Sequence, residues 1–206
     1  MSNIFWISLH ARSIGTRIQE QGYRGLMLHV DALDTGRHVS HMTIIEFIRA
    51  FADDTPVAVV ITDTVLESPG PTILYANPAF GALTGRDCTT IVGLTPRFMQ
   101  GRETRRATLD AFHQALAANK PFHGFLSNYR PDGTRYRVEI DCRPLLSASG
   151  KVEHFIAFER EVVRRLGRPA LSRAGRYVPA HVSNALLTDA LRSMNVFHSN
   201  ETDQMT

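Results

Sequence analysis

The chain has 206 residues, 43% of them hydrophobic and 21% charged, with a formal net charge of +3. That balance supports a packed core with extensions and excludes a wholly disordered chain. Two cysteines, Cys88 and Cys142, exclude a disulfide scaffold and a Cys-rich zinc site, and suit a reducing cytoplasm.

No apolar run approaches the roughly 20 residues of a membrane-spanning helix. Ile4 to Ile7 is a short apolar run with no basic segment before it, so no secretory leader is expected. Residues 1–42 read as an N-terminal extension. Ile14 and Ile18 share a helical face that Gly15, Gly22 and Gly25 weaken. From Met42 the pattern sharpens. Ile44, Ile45, Phe47, Ile48 and Phe51 recur at helical spacing, and Asp53-Asp54-Thr55-Pro56 ends that helix. Val57 to Thr62 is short and β-branched, a buried strand. Pro69-Gly70-Pro71 turns the chain into a second strand over Thr72 to Ala76, giving a hairpin. Asn77-Pro78 and Gly85 bracket a short helix with an Asn cap, proline at its start and glycine at its end. Thr95-Pro96 opens another for the same reasons. Thr104 to Ala118 is a longer helix with Leu109, Phe112 and Leu116 on one face.

Three strands follow, over Pro121 to Tyr129, Thr134 to Leu146 and Val152 to Val163, joined by Asp132-Gly133 and Ser149-Gly150 turns. Glu139 and Asp141 alternate on the second, the mark of a solvated face. Five antiparallel strands with helices packed on one face make an α+β fold. Residues 164–206 divide into a basic linker and an amphipathic helix. Gly167, Pro169 and Gly175 lie among Arg160, Arg164, Arg165, Arg168, Arg173 and Arg176, a solvated stretch more than a nucleic-acid surface. Beyond Pro179, the positions Val182, Ala185, Leu186, Ala190, Leu191 and Met194 fit one helical stripe. Such a helix does not stand alone in water, so it is expected on the sheet or across a dimer.

Three motifs stand in order within residues 43–163: Asn77-Pro78-Ala79-Phe80 with Leu83-Thr84-Gly85, then Gly93 with Arg97-Phe98-Met99-Gln100-Gly101, then Asn128-Tyr129-Arg130-Pro131-Asp132-Gly133. Together they resemble the PAS family and, within it, the light-oxygen-voltage (LOV) branch. The resemblance implies a PAS fold with a flavin mononucleotide (FMN) pocket between sheet and helices. The LOV motif runs Gly-x-Asn-Cys-Arg-Phe-Leu-Gln, and light drives its cysteine sulfur onto the flavin. Here Thr95 stands for the asparagine and Pro96 for the cysteine, so that adduct cannot form at this position. Cys88 lies upstream of the pocket helix, and Cys142 reads as a small buried hydrophobe on a strand.

Carried over position by position, the resemblance makes Arg97 a phosphate contact and Gln100 a ribityl contact. Asn128 matches the first of two asparagines that read the ring's polar edge. The second falls at Val138, the signalling glutamine at Glu159 and the second phosphate arginine at His113. Two or three lost neutral hydrogen bonds weaken binding by about 10- to 1000-fold, so FMN binding is left open. A protonated Glu159 would mimic glutamine in part, and burial favours that form. Arg97 has plainer alternatives, facing solvent or pairing with Glu103, and Thr95-Pro96 the plainer role of starting a helix in a ligand-free core. His113 is the one residue in favour of haem, and a lone histidine is a weak signal.

No metal spacing, nucleophile with a placed base, or phosphate loop is visible, so no enzymatic activity is expected. The expected function is a sensory module that acts through ligand- or partner-dependent change of its flanking helices, as a homodimer or with a protein partner. The alternative is a flavin photoreceptor working without the cysteine, by photoreduction. Trp6 lies outside the core, which leaves Tyr75, Tyr129 and Tyr136 as expected electron donors.

Overall fold

Three long strands and one short hairpin build the sheet. A computed structural model describes residues 42–164, 177–181 and 185–197. The N-terminal extension, the basic linker and Val182 lie outside the described residues, as does everything expected of them. Helix α1 spans Ile44–Ala52 and is opened by a capping box, in which Thr43 and Glu46 satisfy each other's backbone N–H groups. Strands β1 (Ala58–Thr62) and β2 (Ile73–Ala76) follow. Next come α2 (Pro78–Thr84), α3 (Cys88–Ile91), a 3-10 turn over Pro96–Met99, and α4 (Arg106–Ala117). Strands β3 (Phe122–Tyr129), β4 (Arg135–Leu146) and β5 (Val152–Arg164) complete the core.

The strand order is β2-β1-β5-β4-β3, antiparallel at every pairing. The first and last strands of the core therefore lie side by side at its centre. Register places Glu159 opposite both Ala58 and Ile140, and Cys142 opposite both Phe122 and Ala157. A sixth strand, β6 (Tyr177–Pro179), pairs with the end of β5. Three residues are too few to show a strand period in sequence. Helix α3 was not expected either, being a single turn capped by Asp87.

Alternation divides the sheet into two unlike faces. The inner face packs Val60, Leu126, Val138, Ile140 and Phe155 against α2, α3 and α4, through Phe80, Ile91 and Leu116. The outer face carries Val59, Ile61, Tyr75 and Ile156 beneath Ile45, Ile48 and Ala52 of α1. The helices of the core thus gather on one face as expected, while the flanking helices cover the other. Helix α5 (Ala185–Ser193) closes over Val57 and Phe158 with Leu191, Val196 and Phe197. The expected stripe is only partly right. Leu191 is buried, but Ala190 and Met194 are exposed, because the chain after the helix folds back and supplies the contacts.

Asn77 joins the two sides. Its carbonyl accepts from the N–H groups of Val59 and Phe80, and its amide donates to the carbonyls of Ala52 and Val57, all at 2.8–2.9 Å. One fully buried side chain therefore caps α2 and ties the end of α1 to β1. Gly85 ends α2 in the left-handed region, at φ 70°.

Candidate functional site

A cavity of about 310 Å³ lies between the inner face and α4, near the lower end of the size range for small-molecule sites. Val60, Ile140, Cys142, Phe155, Ala157 and Glu159 form its sheet wall, and Leu109, Phe112 and Leu116 its helical wall. Thr95 and Pro96 line it from the 3-10 turn. Proline at the first position of that turn is locally favourable, but the Thr95 side chain makes no capping bond.

The mouth is polar and basic. Arg97, Gln100, Arg106 and His113 line it, and all four are exposed. Arg106 is held by Asp110 at 2.9 Å. Arg97 has no hydrogen-bond partner among the described residues. Of the two plainer alternatives for it, facing solvent agrees with its exposure, while the pairing with Glu103 is corrected here, because Glu103 pairs with Arg135. Gly70 stands beside Arg97, and its φ of +106°, not a lack of space, is what calls for glycine there.

The inner end is poor in partners. Asn128 is 2% exposed and its amide reaches only the Met99 sulfur, at 3.9 Å, a weak acceptor. Glu159 Oε2 has no hydrogen-bond partner among the described residues. Burial pushes the Glu159 carboxyl up to about 8. It also borders a second cleft of about 420 Å³ that reaches Pro179, His181 and Leu191, so this strand position adjoins both the cavity and the C-terminal flank.

Six of the seven residues singled out from sequence come together here: Thr95, Arg97, Gln100, His113, Asn128 and Glu159. Val138 does not line the cavity and is fully buried in the core. The three tyrosines are a correction too. None of them lines the cavity, because Tyr75 faces the other side of the sheet and Tyr129 lies over Gly101. Cys142 is buried as expected and also faces the cavity, as the two-residue period from Ile140 dictates.

The outer face corrects a further expectation. Glu139 and Asp141 are 6% and 4% exposed, not solvated, because charges and the C-terminal segment cover them. Glu139 accepts from His123 Nε2 at 2.9 Å and Arg160 Nε at 2.8 Å. Burial alone would raise its pKa, but those two partners outweigh it and hold the carboxyl below its ordinary value. Asp141 accepts from Arg143 Nε at 2.7 Å and from the Phe197 N–H at 2.9 Å. Arg143 in turn donates to the carbonyls of Met194 and Asn195, at 3.0 and 2.6 Å. Arg160 stacks on the Phe197 ring at 4.2 Å. Asn195 and Phe197 adopt φ of 57° and 58°, a conformation that needs outside support at non-glycine residues. The Asp141–Arg143 pair supplies it, forming a clasp on the end of α5.

Residues 56–163 match the family model described as a PAS domain. The chain belongs to the PAS domain family. Over 110 residues it is 34% identical to a nitrogen fixation regulatory protein of Klebsiella oxytoca, covering 53% of this chain and 21% of that protein. Over 120 residues it is 33% identical to a blue-light-activated histidine kinase of Brucella abortus, covering 58% and 24%. The chain thus spans about a fifth to a quarter of the length of these curated relatives.

Its structural neighbours are LOV domains. The crystal structure of a Rhodobacter sphaeroides LOV protein aligns with a TM-score of 0.52 and 26% identity, covering 60% of this chain and 67% of that one. An RNA-binding light-oxygen-voltage receptor aligns with the same score and identity, covering 65% and 37%. The antiparallel α+β architecture is therefore the PAS/LOV fold. Among the described residues no helix is long and apolar enough to cross a membrane.

Proposed function

We propose that this PAS core is a sensory module that reports the state of its cavity to α5, and that the ligand is a flavin such as FMN. The observation that carries the proposal is the position of Glu159. Its carboxyl, one oxygen of which has no partner among the described residues, lines the cavity, while its chain neighbours Phe158 and Arg160 point to the outer face and touch the C-terminal segment. A change in the bonding of Glu159 need move β5 only slightly to alter both contacts.

The residues present suit a flavin in three respects. Arg97, without a hydrogen-bond partner among the described residues, fits a phosphate at the mouth, which His113 also lines. Gln100 and Asn128 offer amides to polar groups along the cavity. Glu159, kept neutral by burial, donates one hydrogen bond where a carboxylate would only accept. A bound flavin would supply blue-light absorption and redox chemistry. The chain's own residues orient it, exclude water through Leu109, Phe112 and Phe155, and hold a proton at Glu159. With Pro96 in the 3-10 turn, no sulfur is available there for a covalent bond.

The mechanism is a shift between clasped and released α5. A ligand moves that balance only as far as it binds the two states differently. The module acts by contact with a partner or a second copy, without catalysis of its own. Two measurements test this reading. Flavin absorbance after native purification, or on titration with FMN, tests the ligand. Hydrogen exchange at Met194–Phe197, with and without FMN, tests the coupling. Unchanged exchange in a loaded protein would count against it.

A second reading, light sensing by flavin photoreduction, is favoured by the thiol that faces the cavity.

A further inference from the structure

Among the described residues, the two sulfur side chains Met99 and Cys142 line the cavity and the tyrosines do not, and a thioether has no hydrogen on sulfur to give. The Tyr75 hydroxyl donates to Asp53 Oδ1 at 2.7 Å on the far side of the sheet. The Tyr129 hydroxyl accepts from the exposed Glu103 N–H. Tyr136 is buried, and its hydroxyl points at Met99 Sδ, 3.6 Å away, which is no base. A phenol that loses an electron must also shed its proton or leave a charge in a low-dielectric interior.

Cys142 is differently placed. It is 3% exposed and lines the cavity from the sheet side. Ala157, its partner across β4 and β5, is small and lines the cavity too. Burial first, then the nearby carboxyls of Glu159 and Asp141, push the thiol well above its ordinary pKa, so the sulfur keeps its hydrogen. The wall is not closed core. Glu159, on the same face and 4% exposed, has a carboxyl oxygen with no partner among the described residues, a buried polar atom that a bound group would satisfy.

We infer that Cys142 is the hydrogen donor to a blue-light-excited flavin in this cavity, an assignment that rests on the flavin reading above. In this step the Sγ–H bond breaks and one hydrogen, an electron with its proton, passes to the flavin ring, leaving a neutral sulfur radical. Return of that hydrogen in the dark re-forms Sγ–H. Atoms and electrons balance within the pair, and no outside oxidant or reductant is consumed. Neither partner acquires a charge, which suits a dry wall better than oxidation of a thiolate or of a phenol without a base.

The test uses the full chain loaded with FMN, its content read first by absorbance. The sample is illuminated without oxygen or added reductant in the presence of a nitrone spin trap, then digested for peptide mass analysis. The expected result is trap mass on the peptide carrying Cys142, dependent on light and on bound flavin. It is lost in Cys142→Ser and kept in Tyr136→Phe. If Cys142→Ser does not hold flavin, the peptide map of the wild-type chain and of Tyr136→Phe still decides the matter. Trap mass on a tyrosine, or none in a loaded and illuminated wild-type chain, overturns the donor assignment and leaves the flavin reading standing. A chain that takes up no FMN overturns both.

Discussion

The two faces of the sheet treat charge in opposite ways. On the outer face, Glu139 and Asp141 are buried and fully partnered by His123, Arg160, Arg143 and a backbone N–H. On the inner face, Glu159 is just as buried and has an oxygen with no partner. Partnered buried charges fix a geometry, whereas a buried acid kept neutral with an unmet oxygen leaves free energy to be gained on binding. The outer face therefore reads as the mechanical side that holds α5, and the inner face as the side prepared for a ligand.

The largest expected effect removes the tie between the faces. Asn77→Ala deletes four buried hydrogen bonds and should destabilise the chain by about 5 kcal/mol, measured by urea denaturation. Asn77→Asp keeps the acceptor but sets an oxygen that cannot donate against the Ala52 and Val57 carbonyls, so it should destabilise as well. A loss under about 1 kcal/mol would show that this residue does not join the two layers.

The next effect separates the faces by pH. A carboxyl raised to about 8 in the folded state stays protonated there while its unfolded counterpart ionises at the ordinary value. The folded state then binds more protons, so Glu159 makes ligand-free stability fall as pH rises from about 4.5 to about 8. The loss is bounded at about 5 kcal/mol, and Glu159→Gln should abolish the slope. Glu139 has the opposite sign. Its lowered pKa contributes stability above the ordinary carboxylate range that is lost as pH falls through its folded value. Denaturant midpoints across pH for wild type, Glu159→Gln and Glu139→Gln distinguish the two slopes.

A smaller effect releases the clasp. Arg143→Ala leaves Asp141 buried with only the Phe197 N–H, at a cost of about 2–3 kcal/mol given that Arg143 is itself partly exposed. Exchange should rise at Met194–Phe197 and stay unchanged in β3. Smallest of all, Arg97→Ala should weaken FMN binding about tenfold in a titration, with no change in the stability of the ligand-free chain.

The core was legible in sequence because its signals are local. Asn77-Pro78 with Gly85 marks α2, the β-branched run of β1 marks a buried strand, and Asp132-Gly133 marks a hairpin. The resemblance to the LOV branch, carried over position by position, implied Thr95, Arg97, Gln100, His113, Asn128 and Glu159 as pocket residues, and all six line the cavity. What stayed hidden depends on contacts distant in sequence. Glu139 and Asp141 look solvated until a segment more than fifty residues away covers Asp141. Val138 falls beneath the cavity and Tyr75 faces away from it, because the identity of a strand residue says nothing about which face is hollow. Cys142 reads correctly as a small buried residue on a strand, and alternation from Ile140 adds that it faces the cavity.

The most direct test is hydrogen exchange at the Met194–Phe197 amides with the cavity empty and with it filled by FMN, in the wild-type chain and in Glu159→Ala. A change in protection on filling the wild type, absent in Glu159→Ala while FMN is still bound, is the predicted result. Equal protection in the empty and filled wild-type chain would contradict communication between the two faces of the sheet.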